Sequence, residues 1–331
     1  MGRGKGPAAA GGGKGEGEHE TPDQVARRYH LAGEVLVAQG DRILLERAYG
    51  PIAPSGGPQH KAGERWRLAS ITKQVVATMI VKSIDLAALD RPISAPEERA
   101  SIGQLTLRQL LTHHTGLANP DDTPKLASGV PSFYAANEPD IGYCFSAPGR
   151  PGAAFAYNNC DYIIASFQLA LHDADDPATW KGVHWAEPDE RGVPGYVDGK
   201  PEPAFQLASW GAAGGLMGTA KAVFAFDRSL MTGKLLPPAA LAELWKPEGH
   251  GSYQALGQWV FPGQLKGCAA PKRIVQRDGE IYGVQARNYI LPDDGLVVIV
   301  FTNRSSGDFS IGEVWEGKGF AYDLLSAAVG C

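Results

Sequence analysis

Strand-forming sequence stands at both ends of this 331-residue chain, and helix-forming sequence lies between. Near the start, Gly33-Glu-Val-Leu-Val-Ala-Gln39 is rich in strand formers, Gly40-Asp41 supplies a turn, and Arg42 to Tyr49 returns, which predicts a hairpin. Near the end, Arg273–Gln276, Val284–Leu291 and Leu296–Asn303 predict three successive strands, with Asp293-Asp-Gly295 as the last turn. Between them, Ser70–Leu86 reads as a helix, with Val75, Val76, Met79 and Ile80 at helical spacing. Thr106–His114 reads as a second, with Thr106 as N-cap and Gly116 as a stop. Asn159–Leu171 is a third, carrying Ile163, Ile164, Phe167 and Leu171 on one face. A further helix begins at Thr219 after Gly214-Gly215, and Ile311–Ala328 is expected to close the chain as a helix. This order predicts an α/β fold of the α+β type: one sheet assembled from both chain ends, with a helical lobe inserted.

Composition removes several alternatives. With 36 acidic and 31 basic residues the formal charge is −5, which argues against a nucleic-acid binder or a polybasic membrane surface. The longest apolar runs, such as Leu296 to Phe301, are far too short for a membrane span. Residues 1–28 read as a disordered tail, since eight of the first 18 are glycine and no period is visible. Residues 29–331 read as a single domain. One part covers about 29–83 and 210–331, and the helical part about 84–209. Residues 173–208, rich in Pro, Gly and charge, look like a surface excursion. The tail lacks an apolar signal core, which points to the cytoplasm, with the periplasm open if this start is not the native one. The four cysteines, at 144, 160, 268 and 331, form no C-x-x-C pair. Their even count would allow two disulfides, but free thiols in a reducing compartment are the expectation.

The chemistry starts with Ser70-Ile71-Thr72-Lys73. Three residues is almost one helical turn, so the Ser70 hydroxyl and the Lys73 amine can share a face. A serine is a poor nucleophile until a base takes its proton, and a lysine can be that base if burial or nearby positive charge lowers its pKa. By itself the tetrad is weak. Sixteen serines and fourteen lysines give roughly 0.7 chance matches, and an N-cap serine followed by a solvated lysine is the readier explanation of the tetrad alone. Tyr157-Asn158-Asn159 occurs at a loop-to-helix entry, where a phenol can relay a proton and an amide can bond both lysine and substrate. Its plainer reading is a packed aromatic with Asn159 as N-cap. Arg277-Asp278-Gly279 combines a cation with a glycine that permits close approach, and otherwise reads as a turn. No G-x-S-x-G elbow, zinc helix or phosphate loop occurs, and the eight histidines show no metal spacing.

Together, S-x-x-K, Y-x-N and a cation-x-Gly in that order resemble the serine β-lactamase and D-Ala-D-Ala carboxypeptidase family. Within it, the chain is most similar to the class C β-lactamase branch, which includes esterases and D-aminopeptidases. The resemblance runs from about residue 30 and takes in Trp66-Arg-Leu-Ala-Ser70, Leu110-Leu-Thr-His-His-Thr-Gly116 and Gly214-Gly-Leu216. It implies a β-lactamase-like sheet flanked by helices. It also implies Ser70 as nucleophile, Lys73 and Tyr157 as base and proton relay, and Asn159 as a support for lysine and substrate. The backbone N–H groups of Ser70 and Glu280 would form the oxyanion hole. No metal or organic cofactor is implied.

The third motif departs from the family's usual Lys-Thr-Gly or His-x-Gly. Arg277 keeps a positive charge, whereas Asp278 in the groove would repel a substrate carboxylate. Paired with Arg277 it would be silent. The expected function is a serine hydrolase of a small-molecule ester, or less readily an amide. A β-lactamase, a D-stereospecific peptidase or DD-carboxypeptidase, an acyltransferase, and a non-catalytic acyl- or peptidoglycan-like ligand binder are the alternatives. His113, His114 and Cys160 are expected to be structural, the last as a buried thiol. Trp180, Trp185 and Tyr196 either line an acyl pocket or anchor their loop.

Overall fold

Val35 and Val37 face one side of a strand and Leu36 and Ala38 the other, yet all four are buried. A strand hidden on both faces needs a helical layer on each side, and that is the architecture of the computed structural model, which describes residues 19–95, 100, 102–171, 180–249 and 252–331. In chain order, α1 (Pro22–Arg28) precedes β1 (Gly33–Gln39) and β2 (Arg42–Tyr49), and β3 (Trp66–Arg67) leads into α2 (Ile71–Ser83). The helical part holds α3 (Leu107–Leu111), α4 (Ile141–Cys144) and α5 (Asn159–Leu171). Short strands β4 (Val183–Trp185), β5 (Tyr196–Val197), β6 (Lys200–Pro201) and β7 (Leu216–Gly218) follow, then α6 (Ala220–Met231) and α7 (Pro238–Leu244). The chain ends with β8 (Gln254–Ala255), β9 (Gln258–Gly263), β10 (Lys272–Ile281), β11 (Val284–Leu291), β12 (Leu296–Thr302) and α8 (Phe320–Val329).

The two chain ends meet in a seven-stranded antiparallel sheet of order β2-β1-β12-β11-β10-β9-β8. Gly33 stands opposite Thr302 and Gln39 opposite Leu296. Along β12, Val298 and Val300 join the cluster under α1 and α8, while Val297, Ile299 and Phe301 join the cluster under α2 and α6. Period-2 alternation therefore sorts each strand between two cores. Each such aliphatic contributes about 1.5–3 kcal/mol, so a charge at Val298 or Ile299 would cost a large part of the net stability. Helix α2 is buried all round from Ile71 to Val81, including Lys73, Gln74 and Thr78, which marks it as the central helix rather than an amphipathic surface one.

The hairpin, α5 and β11 fall where the sequence predicts them. Four expectations need correction. Residues 1–18 of the expected tail lie outside the described residues, but Pro22–Arg28 is a helix: Thr21 and Gln24 close a capping box, and Val25 and Ala26 pack under α8. The closing helix does not start at Ile311; Gly317 and Gly319, at φ 67° and 90°, break it, and α8 starts at Phe320. The excursion at 173–208 is partly built into the fold, because β4 pairs with β7 beside β3; residues 172–179 lie outside the described residues. The cysteines are not free: Cys144 bonds Cys160, and Cys268 bonds Cys331. Cys160 is therefore no buried thiol. Packing of α4 against α5, and return of the C-terminus to the loop after β9, bring the Cα atoms to 5.2 and 4.9 Å, within bridging range. Pairs 16 and 63 residues apart carry no local signature. No helix among the described residues is long and apolar enough to cross a membrane.

Candidate active site

Ser70 is delivered to the head of α2 by β3. Leu68 donates its N–H to Leu216 in β7 (2.8 Å), and the chain then turns through Ala69, whose φ of 46° is left-handed. That conformation costs a residue with a Cβ about 1 kcal/mol or more, and it is held by the surrounding strands. Ser70 occupies the N-cap position of α2, but its hydroxyl makes no capping bond. It meets the Tyr157 hydroxyl at 2.5 Å and the Lys73 amine at 3.0 Å instead. The N-cap explanation of the tetrad therefore fails, as does the solvated lysine, because Lys73 is fully buried.

Lys73 Nζ donates to Asn159 Oδ1 (2.8 Å) and to the Ala213 carbonyl (2.6 Å). Burial, then the nearby Arg277 charge, push its pKa well below the ordinary lysine value. A neutral amine has two N–H groups and one lone pair. As an ammonium Lys73 donates to all three oxygens, Ser70 Oγ included; once neutral, Asn159 Oδ1 and the Ala213 carbonyl take its two N–H groups and its lone pair faces the Ser70 hydroxyl.

Tyr157 holds the other side of Ser70. Its ring is 36% exposed to the groove, while its hydroxyl lies between Ser70 and Arg277 Nη2, which donates to it at 3.0 Å. Burial raises the phenol pKa, and Arg277 and Ser70 offset that only in part. Tyr157 is therefore a neutral phenol at neutral pH, a proton donor before it is a base. Arg277 is not the open cation a groove edge would suggest. It is 1% exposed, with Nε donating to the Ser70 carbonyl at 3.0 Å.

Asn159 opens α5 but does not cap it. Asn158 does so through its Oδ1, which accepts from Cys160 N–H, leaving the Asn159 amide for Lys73. Gly279 is where β10 passes the head of α2. A Cβ there would lie 2.8 Å from Ser70 N, so only glycine permits the approach. Strand β10 pairs with β9 only through Gln276, so Arg277 to Ile281 keep that edge for α2. Glu280 follows with an exposed side chain that accepts from Ser306 N–H at 2.9 Å. Asp278 accepts from Trp259 Nε1 at 3.0 Å, its diagonal neighbour on β9. Burial works against its charge, but Arg277 and Arg287 outweigh it and keep it anionic.

Ser70, Tyr157, Asn159 and Arg277 to Glu280 line a groove of about 620 Å3, with Lys73 buried behind them. Asp121, Asp278 and Glu280 face it with Lys125, and Tyr134, Phe155, Trp210, Trp259 and Tyr282 give it aromatic walls. Tyr134 stacks on Trp210 at 3.7 Å, and Tyr282 is left-handed at φ 48°. Sequence patterns did not flag Tyr134, Asp121 or the Ala213 carbonyl, because they come from short 3-10 helical segments with no recognisable motif. His113 is buried against the Tyr157 ring at 4.6 Å, and His114 meets Thr112 and Glu248 outside the groove. Trp180, Trp185 and Tyr196 do not line it; Trp180 packs on Phe226 and donates to the Ala222 carbonyl.

A family model described as Beta-lactamase matches residues 22–170 and 164–317. Esterase EstB of Burkholderia gladioli is 28% identical over 228 residues, covering 55% of this chain and 54% of that one. The chain thus spans about half the length of that curated relative. Among solved structures, D-amino acid amidase from Ochrobactrum anthropi SV3, complexed with D-phenylalanine, superposes at a TM-score of 0.68 with 18% identity, over 93% of this chain and 95% of that one. The class C β-lactamase from Rhodobacter sphaeroides gives 0.66 with 19% identity, over 92% and 97%. At such identities the superpositions speak for the fold.

Proposed function

The chain belongs to the β-lactamase family, and from that membership we propose that it is a serine hydrolase that cleaves a carboxylic ester, or less readily an amide, through an acyl-enzyme on Ser70. The observation that carries this reading is the bonding of Lys73, which meets Ser70 Oγ and whose other two acceptors, Asn159 and Ala213, leave the lone pair of the neutral amine facing Ser70. Lys73 takes the Ser70 proton as the oxygen attacks the substrate carbonyl. The N–H groups of Ser70 and Glu280 stabilise the oxyanion, with the head of α2 favouring negative charge, and Gly279 lets the two strands of this cradle approach. Tyr157, a neutral phenol held by Arg277, protonates the departing alkoxide or amine and regains its proton from Lys73. Water then releases the acyl group by the reverse of these transfers.

The groove favours a neutral substrate. Asp278 stays anionic inside it, and Arg277 is bonded to Ser70 and Tyr157 rather than offered to a carboxylate. That separates the chain's preference from β-lactams and acyl-D-Ala-D-Ala, which carry a carboxylate. Turnover of p-nitrophenyl butyrate beside a chromogenic cephalosporin, with Ser70→Ala as control, tests the reading. Ester cleavage that disappears in the variant, with a nearly inert cephalosporin, is expected. The reverse preference makes the protein a β-lactamase, and no turnover of either makes it an acyltransferase or a binding protein.

A second reading rests on Asp121, which lies exposed on the groove among aromatic walls suited to an ammonium group. An amide of a D-amino acid with a free amine would place its cation there. D-Phenylalanine p-nitroanilide, compared with its N-acetyl form, tests this, and equal rates would remove it.

A further inference from the structure

The bonds around Lys73 do not end at Asn159. Asn159 Nδ2 donates to the Tyr134 hydroxyl at 2.7 Å, and that hydroxyl donates to Asp121 Oδ1 at 2.5 Å. Donor counting fixes the directions on this side. Lys73 donates to the amide oxygen, so the amide nitrogen is the end facing Tyr134. A nitrogen there can only donate, so the phenol accepts and spends its own proton on the carboxylate. On the other side, Arg277 donates to Tyr157, the Tyr157 and Ser70 hydroxyls share a hydrogen bond, and Ser70 meets Lys73, donating to it when the amine is neutral. The result is one continuous chain of hydrogen bonds from a buried guanidinium to a groove-side carboxylate, with the proposed nucleophile and its base in the middle.

We infer that Tyr134 and Asp121 are positioning residues that lock the Asn159 amide and stabilise the ammonium that forms on Lys73 when Ser70 gives up its proton. The inference rests on the hydrolase reading above. Tyr134 is 2% exposed and its ring is held by Trp210, so its hydroxyl has one place to be. Without that hydroxyl the Asn159 amide can flip, turning its nitrogen towards Lys73 and depriving the amine of an acceptor. Asp121 acts through charge: its carboxylate favours the protonated form of Lys73, whose burial and Arg277 neighbour disfavour it. Ordered hydrogen-bond chains of this kind act as units, so their members couple.

The test is a double-mutant cycle of Tyr134→Phe and Asp121→Asn, read in kcat, KM and the pH profile of kcat/KM with p-nitrophenyl butyrate. Phe keeps the stack on Trp210, and thermal melting checks that both variants fold. Each single variant is expected to lower kcat about tenfold with KM within about twofold, and the double variant to be no worse than the poorer single one. The acid limb of the pH profile is expected to move to lower pH in Asp121→Asn, because Lys73 loses a charge that favoured its protonation, and Asp121→Glu is expected to restore part of kcat. Multiplying losses, an unmoved acid limb, or an effect confined to KM would overturn the inference. The rate of Ser70 labelling by a fluorophosphonate, followed by intact mass, separates the two levels. A wild-type protein that neither labels nor turns over ester removes the hydrolase reading, and the inference falls with it; a wild type that labels, beside variants that label at the same rate and with the same pH profile, removes the inference alone.

Discussion

His113 Nδ1 lies 2.8 Å from Asp161 Oδ2, and neither side chain has any exposed surface. The same nitrogen lies 3.3 Å from the Asn158 backbone nitrogen. One proton bridges His113 Nδ1 and Asp161, whose other oxygen accepts from Thr115 at 2.5 Å. Burial accounts for both directions: it drives Asp161 well above the carboxylate range and His113 well below the imidazole range. The pair is neutral, and it supports the Tyr157 ring. Asp161→Asn supplies the same donor and acceptor and is expected to keep stability within about 1 kcal/mol near pH 4. A carboxyl raised on folding contributes stability below its unfolded pKa of about 4 and loses it as pH rises towards the folded value. Asn has no such loss, so the variant's melting temperature is expected to overtake the wild type's between pH 4 and 8. A gap that stays constant would mean that Asp161 is ionised.

Lys73, as the proposed base, is expected to set the pH range of activity. Since burial and Arg277 depress its pKa far below that of a free lysine, the acid limb of kcat/KM for p-nitrophenyl butyrate is expected well under pH 10. Lys73→Arg replaces a base by a group that cannot deprotonate, and a loss of about a thousandfold in kcat/KM is expected at every pH. A variant that regained activity at high pH would assign the base elsewhere.

Both disulfides carry stability, and one of them adjoins the site. Closing loops of 16 and 63 residues stabilises by about 3 and about 4 kcal/mol in the chain-entropy account. Replacing Cys144 and Cys160 by Ala is expected to lower stability by about the first amount and also to lower kcat, because Cys160 follows Asn159 in α5. Replacing Cys268 and Cys331 is expected to lower stability with kcat unchanged. Alkylation of the unfolded wild type before and after reduction, read by mass, counts the bridges directly: no labels and then four.

The elements whose period is strong were legible from the sequence, because periodicity and turn chemistry are local. The hairpin, the strands around Asp293-Asp-Gly295 and helix Asn159–Leu171 lie at the expected residues. Helix Pro22–Arg28 was missed because a glycine-rich stretch beside it masked a seven-residue segment whose stability comes from α8. At the site, Ser70, Lys73, Tyr157 and Asn159 could be named because short spacings carry them, and they do converge. Tyr134 and Asp121 could not. Nothing local distinguishes an ordinary tyrosine in a short 3-10 turn from one whose hydroxyl lies 2.7 Å from an amide 25 residues away. The role of Arg277 was half legible: the charge is in the sequence, whereas its burial behind Tyr157 depends on how β10 meets α2.

Asp278 is proposed to select the charge of the substrate. Its Oδ1 is fixed by Trp259, and Arg277 and Arg287 keep it ionised despite burial, so it remains a negative charge beside the nucleophile across the neutral range. Arg277 acts on it through charge alone, since its hydrogen bonds go to Ser70 and Tyr157. A like charge held a few ångströms from a substrate carboxylate costs about 1–2 kcal/mol in a half-solvated groove. Asp278→Thr is therefore expected to raise kcat/KM for a carboxylate-bearing ester about tenfold, and to leave that for p-nitrophenyl butyrate within about threefold. Raised salt should narrow the wild-type difference between the two substrates and leave the variant's nearly unchanged, because screening acts only where the repulsion exists. Equal responses of both esters to the substitution would mean that Asp278 positions Trp259 and does not select charge.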